Sequence, residues 1–230
     1  MNNELLSLLH HCELIELNYC YDPSMPVWPT HPKFMLNDWE THAAGDGNYN
    51  NLLQMGDHCG THVDSPSHFI PGGKTIEQID VHQLIGRGVK IDVSDYPVDT
   101  EITVSMIQSW EAQNGNIKAD DIVLFRTGHD KKWQPRPNHK SFLSDWSGLS
   151  GGGAEYLLAK GVNVIGSDAM SLDAWSNSTY PAHQIILGAG KLIMENLANL
   201  DKVPETFIFM ALPLRINGGS ASPVRAIALI

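Results

Sequence analysis

Residues 58–68 read HCGTHVDSPSH, so three histidines and one aspartate fall within eleven residues. Imidazole nitrogens and carboxylate oxygens are the ligands of catalytic divalent metals such as zinc and manganese. The chain has eleven histidines in all, but three of them beside an aspartate in so short a span indicate a metal site rather than chance clustering. We therefore expect this segment to build most of a metal site, with the rest of the chain shaping a pocket over it.

The spacing of these side chains predicts a bend. A straight strand points His58, His62 and Asp64 to one face, but at about 3.3 Å per residue the two histidines would lie roughly 13 Å apart, too far to share an ion. A regular helix turns Asp64 away from the histidines, and Pro66 opposes a continuous helix. Gly60 tolerates backbone angles that other residues avoid. We predict a turn at Gly60, after which His62 and Asp64 continue in extended form.

The composition indicates a globular cytoplasmic protein. A chain of 230 residues that is 42% hydrophobic fits one domain with a real core, and no linker, repeat or low-complexity tract divides residues 1–230. The net charge of −11 argues against nucleic acid as a partner. No signal peptide, membrane span or basic amphipathic segment is apparent. Three cysteines without a CxxC pair indicate a reducing compartment, and we expect Cys59 to be a spacer rather than a thiolate ligand.

Hydrophobic patterns predict a mixed α/β fold. Strands are expected near residues 13–20, 33–40, 88–93, 121–127, 162–168, 207–214 and 224–230. Helices are expected at residues 3–11, 75–84, 155–160 and 184–187, with another beginning at Thr103. Strands outnumber helices and no regular βαβ rhythm is apparent, so we expect a single mixed α/β domain over residues 1–230.

Four polar or aromatic residues outside the cluster allow two interpretations each. Glu195 stands alone in an apolar run. Because burying an unpaired carboxylate is costly, it either faces a cation such as a metal or lies in water at a strand edge. Trp28 lies in a loop with four prolines, where it either walls a pocket or packs on the prolines at the surface. Asp168 and Asp173 either support a ligand histidine or cap a turn.

A serine nucleophile is a weaker alternative. Residues 148–152 read GLSGG, which matches the GxSxG nucleophile elbow. That elbow joins a strand to a helix, and residues 141–147 lack a strand pattern. Ser150 is better explained as the N-cap of the following helix.

The segment HCGTHVDSPSH resembles the HxGTHxDxPxH signature of the putative cyclase family, which includes bacterial kynurenine formamidases and isatin hydrolases. Every fixed position of the signature is present. The residues Glu195-Asn196-Leu197 resemble the family's ENL element, and residues 215–223 resemble its C-terminal part. The resemblance implies a swivelling β/β/α domain, a homodimer, and a position for Trp28 near the substrate.

The resemblance also implies a metal-dependent hydrolase that cleaves the C–N bond of a small amide, foremost an aryl formamide. Opening of a lactam such as isatin is the nearest alternative, because it uses the same machinery. One or two ions of zinc or manganese are implied, with ligands at His58, His62, Asp64, His183 and Glu195. His68 is implied as the general acid/base. A non-catalytic metal-binding protein is the other class, but a structural site has no need of the extra imidazole of His68.

Overall fold

The computed structural model describes the backbone of residues 2–230 and the side chains from residue 6 onward, except that of residue 8. The strands are β1 (Leu14–Glu16), β2 (Met35–Glu40), β3 (Asn50–Gln54), β4 (His62–Asp64), β5 (Ile85–Asp92), β6 (Glu101–Ile102), β7 (Ile122–Arg126), β8 (Gly148–Leu149), β9 (Val164–Ser167), β10 (Leu192–Glu195), β11 (Thr206–Pro213) and β12 (Ala221–Leu229). The α-helices are α1 (Asn2–His11), α2 (Val104–Asn114), α3 (Gly151–Ala159) and α4 (Pro181–Gly188). Within this part of the chain, no helix is long and apolar enough to cross a membrane.

The main sheet closes on itself. Its strand order is β1-β12-β11-β5-β7-β9-β10-β4, and β12 pairs with β4 as well. One edge of β12 carries β11, while the other carries β4 near Ala221 and β1 near Leu229. Seven strands therefore form a barrel-like sheet to which β1 is added. The architecture confirms the expected mixed α/β class.

Four neighbouring strands of this sheet are parallel. β5, β7, β9 and β10 pair in that order, and α2, α3 and α4 lie in the successive connections between them. The expectation that the chain has no regular βαβ rhythm is therefore wrong for this region. Two short strands, β6 and β8, interrupt the connections that also carry α2 and α3, and this irregularity hides the rhythm in the sequence.

Alternating side chains divide the core into two layers. On β7, Ile122 and Leu124 belong to the cluster inside the barrel, whereas Val123 and Phe125 pack with residues of the three helices. This alternation is the period of two of an extended strand. Val63 of β4 also belongs to the inner cluster, so the side chains on either side of it, His62 and Asp64, point to the outer, helix-bearing face.

The predicted boundaries are partly wrong. The strand expected at 13–20 has only three residues, and the helix expected at 75–84 is two 3-10 turns, Ile76–Gln78 and Val81–Leu84. Asp80 separates the two turns, because its side chain accepts a hydrogen bond from His82 N and starts the second one. α3 begins at Gly151 rather than 155. Its N-cap is Ser150, whose Oγ accepts from Gly153 N and donates to the carbonyl of Ile102.

Candidate metal centre

Gly60 makes the turn that the sequence predicts. Its φ is +62°, and β4 continues in extended form from His62. A Cβ at this position would lie 3.0 Å from the ring of Tyr21, so both the backbone angle and the space favour glycine. The Tyr21 hydroxyl donates to the carbonyls of Cys59 and Thr61 at 2.7 and 3.0 Å, which holds the turn in place.

The turn gathers imidazoles around one buried carboxylate. Asp64 is fully buried, and its Oδ1 lies 2.8 Å from His58 Nδ1 and 3.3 Å from His62 Nε2. Its Oδ2 lies 3.6 Å from Nε2 of His183, which the first turns of α4 supply. The structure thus brings together residues that are more than a hundred positions apart in the chain.

Glu195 joins this group from the next strand. In the antiparallel pairing of β10 with β4 it stands opposite His62, with Oε2 3.6 Å from His62 Nε2. Its Oε1 lies 3.1 Å from His183 Nε2 and accepts a hydrogen bond from Leu172 N at 2.9 Å. The side chain is buried, so the alternative in which Glu195 lies in water at a strand edge is wrong.

The donor set fits a divalent cation. Both carboxylate oxygens of Asp64 and Nε2 of His62 are buried without a hydrogen-bond partner among the described residues. Two groups that could hold an ion, His58/Asp64/His68 and His62/Asp64/Glu195, share Asp64. Because unsatisfied buried acceptors are costly, their convergence on one point suits a bound cation.

The electrostatics of the centre show how strongly its members depend on one another. Burial alone would raise the pKa of Asp64, but the imidazoles of His58 and His62 hold it well below its usual range. Burial would also lower the pKa of His62, yet the neighbouring carboxylates of Asp64 and Glu195 outweigh it and raise the pKa to about 9. These directions describe a carboxylate-rich site that favours positive charge.

In each of the three histidines that face Asp64, namely His58, His62 and His183, the ring nitrogen that points away from Asp64 has a hydrogen-bond partner. His62 Nδ1 lies 2.8 Å from the carbonyl of Gly60, His183 Nδ1 lies 2.6 Å from Asp173 Oδ2, and His58 Nε2 lies 2.9 Å from Ser220 Oγ. In each ring the other nitrogen faces Asp64. Outer partners of this kind fix the orientation of metal-binding imidazoles.

Asp173 serves both of the roles between which the sequence does not decide. It accepts hydrogen bonds from Ala182 N and His183 N at the start of α4, and it holds the ring of His183. Asp168 makes no hydrogen bond or ion pair with a histidine among the described residues. Its carboxylate accepts instead from the backbone of Thr127 and Gly128.

His68 lies beside the histidines that face Asp64. It lies in the 3-10 turn Pro66–His68, and its ring centroid is 3.9 Å from that of His58 and 6.1 Å from that of His183. Burial lowers the pKa of His68 to about 4. The imidazole is therefore neutral near pH 7, with one nitrogen able to donate and one able to accept a proton.

A cleft of about 240 Å³ opens over these histidines. Trp28 lies in its wall and packs against Trp146 with ring centroids 6.0 Å apart. The other lining side chains include His31, Phe69, Met170 and Tyr180. None of the described lining residues is a lysine or arginine. Cys59 does not line the cleft, and its side chain packs instead with Met25 and Phe34.

Comparison with known proteins matches both the sequence and the fold. Residues 15–174 match the family model described as putative cyclase. The isatin hydrolase of Roseibium aggregatum is 31% identical over 245 residues, which cover 95% of this chain and 92% of the relative. The kynurenine formamidase of Sphingopyxis alaskensis is 35% identical over 207 residues, which cover 89% of this chain and 91% of the relative.

Solved structures that resemble this chain come from the same kinds of protein. An isatin hydrolase bound to the product analogue thioisatinate is 30% identical with a TM-score of 0.89, over 100% of this chain and 95% of that one. A structure described as a potential metal-dependent hydrolase with cyclase activity is 25% identical with a TM-score of 0.76, over 95% of this chain and 98% of that one. The named relatives are hydrolases.

Proposed function

The chain belongs to the putative cyclase family, and on that premise we propose that it is a metal-dependent hydrolase that cleaves the C–N bond of a small aryl formamide. The observation that carries the proposal is the convergence of three imidazoles and two carboxylates on buried, unsatisfied acceptor atoms beneath a cleft. A divalent ion held by these residues would supply Lewis-acid chemistry, by lowering the pKa of a water molecule and polarising a carbonyl group.

The proposed ligands are His58, His62, Asp64, His183 and Glu195. Asp64 belongs to both of the groups that could hold an ion, so its carboxylate would serve as a ligand in either one. Zinc and manganese both suit imidazole and carboxylate ligands, with one or two ions in each chain.

His68 is the proposed general acid/base. Its ring is neutral near pH 7 and lies against His58 at the cleft, where it can take a proton from the attacking water and pass it to the leaving nitrogen. Trp28 is proposed to pack on the aromatic part of the substrate, which its place in the cleft wall supports.

Opening of a lactam such as isatin is a second candidate, and the charge of the cleft lining favours it over hydrolysis of N-formylkynurenine. An amino-acid substrate such as N-formylkynurenine carries a carboxylate and an ammonium group, but no lysine or arginine is among the described residues that line the cleft. Burying these two charged groups costs more than burying an uncharged ring. Isatin and simple aryl formamides carry no charge, so they suit this lining better.

Metal removal tests the proposal. The purified protein is analysed for bound metal and assayed with formanilide, N-formylkynurenine and isatin, before and after a chelator. We expect turnover of an uncharged substrate that the chelator abolishes and that zinc or manganese restores. Chelator-resistant turnover would overturn the metal mechanism. Bound metal without turnover of any of the three would instead favour a non-catalytic metal-binding protein.

A homodimer is part of the same proposal. The hairpin of β2 and β3 pairs with no other strand among the described residues, and it exposes 43% of Leu36 and 57% of Leu53, which stand opposite each other in the pairing. Apolar side chains exposed together often mark interfaces. Sedimentation equilibrium tests this, with dissociation expected for Leu36→Ser combined with Leu53→Ser and a monomeric parent as the contrary result.

A further inference from the structure

Closure of the barrel places a serine against the outer side of His58. Ser220 directly precedes β12, whose pairing with β4 sets Ala221 opposite Asp64. Its carbonyl accepts hydrogen bonds from the backbone N and the hydroxyl of Ser65, both at 2.9 Å. Held in this way, Ser220 Oγ lies 2.9 Å from His58 Nε2, although the two residues are 162 positions apart.

The direction of the hydrogen bonds follows from a neighbouring carboxylate. Asp57 Oδ2 lies 2.8 Å from Ser220 Oγ and also accepts from Ser220 N at 3.1 Å. An ionised carboxylate has only acceptor sites, so the single hydroxyl hydrogen of Ser220 points to Asp57. The oxygen lone pairs of Ser220 are then left for His58, which must carry its proton on Nε2.

This arrangement leaves the inner nitrogen of His58 without a proton. In a neutral imidazole protonated on Nε2, Nδ1 is an acceptor. Nδ1 lies 2.8 Å from Asp64 Oδ1, an atom that makes no hydrogen bond among the described residues. Two acceptors at this distance repel each other unless a cation lies between or beside them. His62 and His183 have the opposite arrangement, because Nδ1 is their anchored atom.

We propose that Asp57 and Ser220 are positioning residues that hold His58 in its Nε2–H tautomer, so that Nδ1 is the atom His58 offers to the metal. The inference rests on the proposed metal-dependent function, because it assigns a ligand atom within that site. Asp57 and Ser220 act through His58 and not on the substrate. Removing either partner frees the ring to take the other tautomer, in which a proton occupies the ligand position.

Variants of Ser220 test the proposal. Ser220→Ala removes the hydroxyl, and Ser220→Thr keeps it. Ser222→Ala is the matched control, because Ser222 lies two residues away and is buried, and among the described residues its hydroxyl bonds only Leu214 N and the Pro223 carbonyl. The first measurement is ¹H–¹⁵N NMR of the imidazole nitrogens in Zn²⁺-loaded protein, where a cation offsets the repulsion between Nδ1 and Asp64, with His58 assigned from a His58→Gln sample. The second is the affinity for Zn²⁺, measured by competition with a chelator.

We expect the Nε2–H tautomer of His58 in the parent, in Ser220→Thr and in Ser222→Ala, and a mixture of tautomers in Ser220→Ala. Zn²⁺ affinity should fall about 10- to 100-fold in Ser220→Ala, as for other outer partners of metal ligands, and return in Ser220→Thr. An unchanged tautomer and unchanged affinity in Ser220→Ala would overturn the proposal. If that variant does not fold, Asp57→Asn decides by the same tautomer readout. A parent that binds no divalent ion defeats the proposed function, whereas a parent that binds Zn²⁺ with His58 protonated on Nδ1 overturns the role of Ser220 alone.

Discussion

Glu195 and His62 face each other across the pairing of β10 with β4, with Glu195 Oε2 3.6 Å from His62 Nε2. Side chains alternate along a strand, so this meeting depends on the register of the two strands. A slip by one residue would present the apolar Met194 in place of the carboxylate. The register of a distant strand therefore completes the metal centre that residues 58–68 begin.

Glu195→Gln should weaken metal binding. The change keeps the size of the side chain and an oxygen for Leu172 N, but it removes the charge that faces His62 and His183. We expect divalent-metal affinity to fall by at least about 100-fold, the upper end of the effect of outer partners. Metal titration measures it. Glu205→Gln, at an exposed glutamate, is the control, and equal affinity in both variants would contradict the assignment of Glu195.

His68→Ala should separate proton transfer from metal binding. Loss of a general acid/base lowers kcat by about 10²- to 10⁴-fold, and we expect metal content to remain that of the parent. Steady-state kinetics and metal analysis of the same sample measure both. His82→Ala removes a histidine whose side chain is 89% exposed and should change neither quantity. Loss of metal together with activity would instead make His68 a ligand, as one of the two candidate groups allows.

Gly60→Ala should destabilise the protein and weaken metal binding together. The methyl group meets the Tyr21 ring, and the residue must keep a φ of +62°. Left-handed backbone alone costs an alanine about 1–2 kcal/mol. Gly190→Ala is the matched control, since Gly190 has φ +73° but open space around its Cβ position. Urea denaturation should show a larger loss at Gly60, and equal losses would show that contact with Tyr21 is unimportant.

His129 should make stability depend on pH. Burial lowers the pKa of His129 to about 4, and its ring donates a hydrogen bond to the Phe142 carbonyl at 2.9 Å. In the unfolded chain the pKa of a histidine is about 6.5. Between pH 6.5 and 4 the unfolded state therefore binds a proton at His129 that the folded state does not bind. Stability therefore falls as the pH falls through this window, by up to about 3 kcal/mol from this group.

The measurement is the free energy of unfolding of metal-depleted protein at several pH values. His129→Gln keeps an N–H donor without a titrating ring, so the difference between parent and variant should shrink as the pH falls from 6.5 to 4. Ligand histidines contribute equally to both proteins. His82→Gln, at the exposed histidine, should run parallel to the parent. If the curve for His129→Gln runs parallel to that of the parent, the ring of His129 has the same pKa in the folded and unfolded states.

Local chemistry explains what could be predicted from sequence. The turn at Gly60 and the extended run after it follow from ligand spacing, and the buried position of Glu195 was one of two outcomes that the cost of an unpaired carboxylate allowed. The helix expected at 75–84 failed for an equally local reason, because Asp80 binds the backbone of His82 and starts a new turn.

The sequence offers Asp173 as one of two possible supports for a ligand histidine without deciding its role, and it gives no sign of the other outer partners. Asp173 precedes His183 by ten residues, and aspartates at such positions more often cap turns. Ser220 and Asp57 are ordinary polar residues whose contact depends on β12 closing the barrel against β4. Contacts of this range are set by the tertiary fold and leave no periodic pattern in the sequence.

Closure by β12 also orders events during synthesis. The growing chain carries His58, His62 and Asp64 long before it carries Ser220, and β12 is the last of the described strands to emerge. Until β12 pairs with β4, one edge of β4 is open and His58 lacks its outer partner. On the proposed function, a chain truncated before residue 220 should therefore bind metal more weakly than the whole chain, even though it retains every proposed ligand.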